Sequence, residues 1–444
     1  MKTWISTTEQ SPWVSREVKP VSGNPEDRLE PTGRTLQTFY GFGAACNEME
    51  WTVLSGLTDQ ERKKILSNFF GPGNGCRLKI CRIPIGANDY AQNWYSCDEQ
   101  AGDYSLHSFS IDRDRECIIP LIKKVQELEP ELRFLASPWS PPTWMKQPPV
   151  YNYGTLKMDP ETLDAYARYL EKFILAYREE NIPIGRLLIQ NEPFADQKFP
   201  SCVWTGEQFR IFIRDYLGPL LERDKVGTEL WLGTLNGPEL DLNRFLAPPT
   251  AAKNLYDTYV DTVLFDCEAR RHLTGVAYQW AGKASIQRTH ESFPELKLMQ
   301  SESECGDGTN TWEYAFYVYN LICHYLKNGA DSYVFWSMLL PPGGTSTWGW
   351  NQNSLATFDP ADGSFTRNPE FYVIQHLSRF VEPGAVLLET KGHFSGGSLA
   401  FRNPDGSTVL SVSNFHNAER DFSWKGESPF TAVLPPMSLN TFVL

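Results

Sequence analysis

Eight short apolar runs, separated by longer amphipathic stretches, limit what this chain can fold into. They are Phe39–Ala45, Leu78–Ile85, Leu132–Trp139, Leu187–Glu192, Leu230–Leu235, Val276–Trp280, Leu296–Glu302 and Tyr333–Met338. Each has strand length and is often β-branched or aromatic. Among the stretches between them Pro160–Tyr177 is the clearest helix, because Leu163, Tyr166, Leu170, Phe173 and Ile174 recur at helical spacing. Asp159-Pro160-Glu161 gives it an N-cap, a Pro at the first position and early negative charge. Eight strands alternating with helices predict an α/β fold, a (β/α)8 TIM barrel, over residues 36–374. A doubly wound open sheet gives a similar pattern, but it often carries a Gly-rich phosphate loop, and neither GxGxxG nor GxxxxGK occurs here.

After about residue 375 the texture changes. Ala385–Glu389, Leu399–Arg402, Thr408–Ser413, Asp421–Trp424, Thr431–Leu434 and Ser438–Val443 read as strands. Asn403-Pro404-Asp405-Gly406 and Ser395-Gly396-Gly397 read as turns between them. Residues 375–444 are expected to form a small all-β sandwich, and residues 1–35, which lack a helical period, to join it.

Composition narrows the partners. Aromatic residues make up 13% of the 444 residues, with 14 Trp. This fits either large cores or a sugar site, since flat sugar faces stack on rings. The net charge of −13 and the lack of a basic run argue against nucleic-acid binding. The N-terminus has no signal-like apolar segment, and no apolar stretch reaches membrane-spanning length, so the expectation is a cytoplasmic protein without stable membrane insertion. Nine cysteines without a CxxC pair are expected to be mostly reduced and buried rather than a disulfide framework. Seven histidines without HExxH or HxH spacing lead to the expectation of no metal and no organic cofactor.

Barrel active sites sit at the C-terminal strand ends. The fourth run ends in Gln190-Asn191-Glu192-Pro193 and the seventh in Gln300-Ser301-Glu302-Ser303-Glu304. Two carboxylates facing one cavity suit glycoside hydrolysis, one protonating the leaving oxygen and the other attacking the anomeric carbon when they lie about 5–5.5 Å apart. For any single Glu a helix cap or a surface ion pair is the simpler reading. Glu192 stands out because Asn191 can bond a substrate hydroxyl and Pro193 turns the chain out of the strand. Residues two apart in a strand share a face, so Glu304 competes with Glu302 unless it already begins the loop Cys305-Gly306-Asp307-Gly308.

The motifs Gly41-Phe42-Gly43-Ala44-Ala45, Cys81-Arg82-Ile83-Pro84, Leu135-Ala136-Ser137-Pro138-Trp139-Ser140-Pro141-Pro142-Thr143-Trp144, Asn191-Glu192-Pro193 and Ser301-Glu302 run in order through most of the chain. Together they resemble glycoside hydrolase family 30, most closely its glucosylceramidase-like branch. The resemblance implies a retaining β-glycosidase with Glu192 as acid/base and Glu302 as nucleophile, acting on β-linked glucosides. An endo-β-1,6-glucanase or β-xylosidase on the same scaffold is the alternative within the class, and a non-catalytic glycan-binding barrel the alternative outside it. The resemblance further implies Arg82 as support for the nucleophile, Asp89 as a ligand of sugar hydroxyls, and Trp139 and Trp336 as aromatic walls. Trp144 reads as structural support. The family often has His-Trp-Tyr after strand six, where this chain has Gln279-Trp280-Ala281, so Gln279 is expected in the His role. The loop Pro341–Asn353, with Trp350, and the charged segment Asn93–Asp103 are candidate pocket walls.

Overall fold

The computed structural model describes residues 3–18, 27–237 and 259–444. Eight parallel strands close into a barrel. They are β1 (Gly41–Ala45), β2 (Ile80–Ile85), β3 (Arg133–Pro138), β4 (Ile184–Leu188), β5 (Glu229–Leu235), β6 (Gly275–Gln279), β7 (Lys297–Glu302) and β8 (Ala330–Ser337). The helix expected after β3 spans Pro160–Glu179, and the Asp159 side chain accepts from the Thr162 amide at 2.9 Å. The expected strand four, Leu187–Glu192, is displaced. The ladder starts at Ile184, where Gly185 and Arg186 hide the apolar signal, and it ends at Leu188.

The barrel interior is layered by the two-residue period of its strands. At the base the Arg186 guanidinium lies between the rings of Tyr40 and Trp231, 3.7 and 4.3 Å from their centroids. It bonds Asp331 at 3.0 and 2.7 Å and Glu229 at 3.0 Å. Above it Ile80, Leu135, Leu188, Trp231, Ala277, Met299 and Val334 form one apolar layer. Two residues further along their strands stand Arg82, Ser137, Gln190, Gln279 and Trp336. Greasy residues thus form a floor, and polar groups that depend on one another stand on it.

Beside two small sheets of three and two strands, nine strands make one further sheet. In spatial order they are Val14–Ser15, Thr3–Thr7, Ser438–Val443, Thr408–Asn414, Ser398–Arg402, Val386–Gly392, Arg28–Thr38, Arg420–Trp424 and Phe430–Leu434. Phe442 stacks on Trp4 at 5.2 Å and on Phe422 at 5.9 Å, although Phe422 lies five strands away, so the sheet folds over its own core. Residues 19–26 of the N-terminal segment lie outside the described residues. The helix Pro369–Ser378 runs past residue 375 because Val373, Ile374 and Leu377 pack into the barrel's main core. Its buried His376 lies 2.8 Å from the Thr7 hydroxyl and 2.9 Å from that of Thr441, joining both chain ends to the barrel.

The cysteines are mostly free, as expected, with one bonded pair. Cys46 is bonded to Cys81 where β1 and β2 run side by side, with Cα atoms 6.0 Å apart. A separation of 35 residues leaves no local spacing to read. The other seven cysteines are free.

The base of the barrel yields a stability prediction. Asp331→Ala leaves the buried Arg186 charge with Glu229 as its one carboxylate partner among the described residues, and should cost about 3–5 kcal/mol of unfolding free energy, read as a lowered urea midpoint. Replacing both partners, as in Arg186→Met with Asp331→Leu, should recover most of that loss.

Candidate active site

Polar strand ends converge above the apolar layer. Arg82, fully buried, is the hub. Its Nη1 donates to a carboxylate oxygen of Glu302 and, at 3.3 Å, to the Ser301 carbonyl. Its Nη2 donates to Asn191 Oδ1 at 2.6 Å and to Ser137 Oγ at 2.9 Å, and its Nε to Ser137 Oγ at 3.2 Å. The guanidinium lies 4.7 Å from the Trp139 ring centroid. Gln279 Nε2 lies 3.0 Å from Glu302 Oε2, 3.0 Å from Asn191 Oδ1 and 3.1 Å from Thr234 Oγ1. Thr234 Oγ1 in turn donates to Asn191 Oδ1 at 3.1 Å. With Asn191 Oδ1 occupied by these donors, its Nδ2 hydrogens remain for the cavity it lines.

Local irregularities aim the two glutamates. Past Leu188 the chain stays bonded to both neighbouring strands, to β3 from Asn191 N to Pro138 O at 2.8 Å, and to β5 through Gln190, whose N donates to Gly233 O at 2.9 Å, and through Glu192 N to Thr234 O at 3.1 Å. It then turns at Glu192, whose φ of 46° lies in the left-handed region. That conformation is rare for a residue with a Cβ and costs about 1–2 kcal/mol. In β7 the register against β6 slips by one between the pairs Tyr278–Gln300 and Gln279–Glu302. Such a bulge changes which side chains face inward. Met299 faces the core, and after the slip Glu302, rather than Ser301, stands level with Gln279. Glu304 lies beyond the strand and does not line the cavity.

A cavity of about 180 Å³ opens between these groups. Its inner wall is Asp89, Trp139, Asn191, Glu192, Glu302 and Trp336, and its mouth includes Trp280 and Trp350. These are eight of the ten residues expected from the sequence. The other two, Arg82 and Gln279, are fully buried behind the wall and bond Glu302 and Asn191 from there. The segment Asn93–Asp103 does not line the cavity. Its Glu99 instead accepts from the Thr143 amide at 3.2 Å, bracing the loop after β3. Trp144 is structural, donating to the Asp98 carbonyl at 3.0 Å. The sequence reading did not select Thr234, Ser137 or Gln352. Thr234 had a usable signal, a polar residue near the end of an apolar run. Gln352 stood unremarked within the loop Pro341–Asn353.

Gln352 ties two walls together. Its Oε1 accepts from Trp336 Nε1 at 2.8 Å and its Nε2 donates to Asp89 Oδ2 at 3.3 Å. Asp89 sits in a turn secured by Asn88, whose Oδ1 accepts from the Tyr90 amide at 3.0 Å and whose Nδ2 donates to Asn47 Oδ1 at 2.6 Å. Asp89 Oδ1 is buried and unpartnered among the described residues.

Three carboxyls therefore share one space with a single guanidinium. Burial, then the charges of Glu302 and Asp89, push Glu192 up to about 8, against the pull of Arg82 and the Gln279 amide. Burial, then the Glu302 charge, push Asp89 up to about 7. Burial raises Glu302 too, but only Glu302 is in direct contact with Arg82, which opposes that rise. The proton accordingly goes first to Glu192, and Glu302 is the anion of the pair. One protonated and one ionised carboxyl against aromatic walls can supply a proton and a nucleophile to the same bond.

Known proteins carry the same architecture. The family model for the glycosyl hydrolase family 30 TIM-barrel domain matches residues 39–381, and that for the family's beta sandwich domain matches residues 384–442. A putative glucosylceramidase of Caenorhabditis elegans is 29% identical over 86% of this chain and 75% of its own length. The lysosomal acid glucosylceramidase of Mus musculus is 28% identical over 87% of this chain and 76% of its own. An endo-1,6-beta-D-glucanase of Aspergillus fumigatus is 26% identical over 92% and 85%. Among solved structures, SrfJ from Salmonella typhimurium superimposes with a TM-score of 0.86 at 24% identity, covering 100% of this chain and 99% of its own. With both domain models matched in order across nearly the whole chain, this protein belongs to glycosyl hydrolase family 30 and is a glycosidase.

Proposed function

We propose that the protein is a retaining β-glucosidase, glucosylceramidase-like in its site chemistry, that cleaves β-linked glucosides by double displacement. One observation carries this reading: Glu192 and Glu302 face one cavity, and only Glu302 is held by Arg82. Glu302 attacks the anomeric carbon while Glu192 gives its proton to the departing oxygen. The glycosyl–Glu302 ester that forms no longer carries the charge that raised Glu192. The Glu192 pKa therefore falls at the step where it must act as base, and it takes a proton from the water that attacks the ester. The second inversion restores the β configuration. Asn191 Nδ2 and Asp89 Oδ1 are the groups placed to bond sugar hydroxyls, with Trp139 and Trp336 against the ring. The cavity lies below the roughly 300 Å³ at which drug-sized sites begin, which favours one sugar ring in its depth.

Endo-β-1,6-glucanase action is the second reading, supported by the similarity to fungal enzymes of that name. A screen of nitrophenyl β-glucoside, β-xyloside, β-fucoside and β-galactoside beside a β-1,6-glucan, with product length and anomer followed by NMR, decides between them. An α-anomer as first product would sink the retaining mechanism.

Glu302→Gln should abolish turnover while leaving the melting temperature near that of the parent, and Glu304→Gln should stay close to parental activity. A loss confined to Glu304→Gln would move the nucleophile. Glu192→Gln should lose about 10²–10⁴-fold on glucosides with poor leaving groups, and far less on activated aryl glucosides.

The pH profile of kcat/KM should be bell-shaped. Glu192 must hold its proton, so activity falls on the alkaline side as pH rises through its raised pKa, near 8. Glu302 must lack one, so activity falls on the acid side. In Glu302→Gln the charge that raises Glu192 is gone, and its carboxyl should titrate at lower pH by 13C NMR. An unchanged titration would contradict the coupling.

A further inference from the structure

The outer half of the cavity differs in kind from the inner half. Its walls are Phe199, Trp280, Trp348 and Trp350 with the Gln197 amide, and no carboxylate stands among them. Trp348 stands between two tilted aromatic neighbours at the mouth. Phe199 lies 5.2 Å from it at 35° and Trp350 5.3 Å at 33°. The Lys198 ammonium sits 4.8 Å from the Trp348 centroid. Trp348 Nε1 is buried and unpartnered among the described residues.

Both loops that carry Phe199, Trp348 and Trp350 are pinned. On one side Thr347 donates twice to the Asp89 carbonyl, at 3.1 Å from N and 2.9 Å from Oγ1. The Tyr90 hydroxyl donates to Gly344 O at 2.8 Å, and Ser346 N to Trp350 O at 2.8 Å. On the other side the buried Lys146 ammonium donates to the carbonyls of Tyr151 at 2.9 Å and Ser201 at 2.6 Å, and Ser201 Oγ bonds Gln197 O at 3.1 Å. A pinned wall loses little entropy when a ligand meets it.

Position gives the rim its role. Glu192 protonates the leaving oxygen in the reading above, so the leaving group lies on its side. The loop that begins at Glu192 carries Gln197 and Phe199. We infer that Trp348, with Phe199 and Trp350, forms a leaving-group subsite that selects a flat, uncharged ring, either a pyranose or an aryl group, over an alkyl chain. Ring faces gain from stacking in a way that a flexible chain cannot match. The inference rests on the double-displacement reading.

β-Glucosyl fluoride is the reference substrate, because its leaving group is a single atom that cannot reach the rim. In Trp348→Ala, the ratio of kcat/KM for a ring-bearing glucoside to that for the fluoride should fall about tenfold, and Trp348→Phe should restore most of it. The ratio for octyl β-glucoside should stay near the parental value. A drop with nitrophenyl β-glucoside alone identifies the ring as aryl, a drop with a β-linked diglucoside alone as pyranose, and a drop with both as either. Equal losses on fluoride and ring substrates, or as large a drop for octyl glucoside, would overturn the proposal. Trp350→Ala, at an exposed position, repeats the test should Trp348→Ala fold poorly. Lack of turnover of the fluoride by the parent protein would instead sink the β-glucosidase reading. In that case, binding of phenyl against methyl β-thioglucoside to parent and Trp348→Ala still measures the ring preference, and a preference unchanged by the substitution would refute the subsite.

Discussion

The site depends on the solvation of one buried cation. Arg82 has lost contact with water, and such a charge is tolerable only when its donors are matched. Glu302, Asn191, Ser137 and the Ser301 carbonyl supply that match, while Trp139 covers the guanidinium face. One side chain thereby ties the ends of β2, β3 and β7 to the chain just past β4. It also makes three nearby carboxyls compatible with a folded barrel. One cation cannot neutralise three anions, so protons must reside on some of them, and direct contact with Arg82 decides that Glu302 is the one left ionised. The same buried contact that stabilises the strand ends thus separates two otherwise similar glutamates into an acid and an anion.

Around that hub the molecule separates rigidity from selectivity. The apolar layer and the Arg186–Asp331 pair hold the strands from below. Hydrogen bonds between strand ends hold Glu302 and Asn191 from the side. The loops after β4, β6 and β8 bring the rings of the mouth to this frame, and Thr347 and Gln352 link the last of them directly to Asp89. Asp89 and the loop that carries Trp348 are therefore parts of one connected structure. The nine-stranded sheet lies outside this arrangement. Its part is to bind both chain ends to the barrel's helices, with His376 between Thr7 and Thr441.

Much of this was legible because the rules that govern it are local. An apolar run of strand length, a capped amphipathic helix and an Asn-Pro-Asp-Gly turn each declare themselves within a few residues. The seven-residue layer above Arg186 follows from the same alternation that marks the runs. Eight of ten expected site residues line the cavity because they sit at or beyond strand ends, where a barrel puts its chemistry. Arg82 and Gln279 were legible as site residues, but that they stand fully buried behind the cavity wall was not, since burial depth is a property of the closed barrel. Strand four was mis-registered because Arg186, a charge inside the barrel, looks in sequence like the end of an apolar run. The Cys46–Cys81 bond left no trace because its partners meet only when β1 and β2 pair.

By itself, then, the sequence determined the barrel, the attached all-β module and two acidic strand ends, since periodicity and turn chemistry act over neighbouring residues. Tertiary structure decided which groups touch. The register slip in β7 turned Glu302 inward and left Glu304 outside. Closure of the sheet placed Arg82 against Glu302, 220 residues away, and set Glu192 near the Glu302 charge without direct contact to that cation. Convergence of two distant loops brought Phe199, Trp348 and Trp350 together. These outcomes depend on contacts between residues far apart in the chain, and a pKa or a ring contact exists only once those contacts have formed.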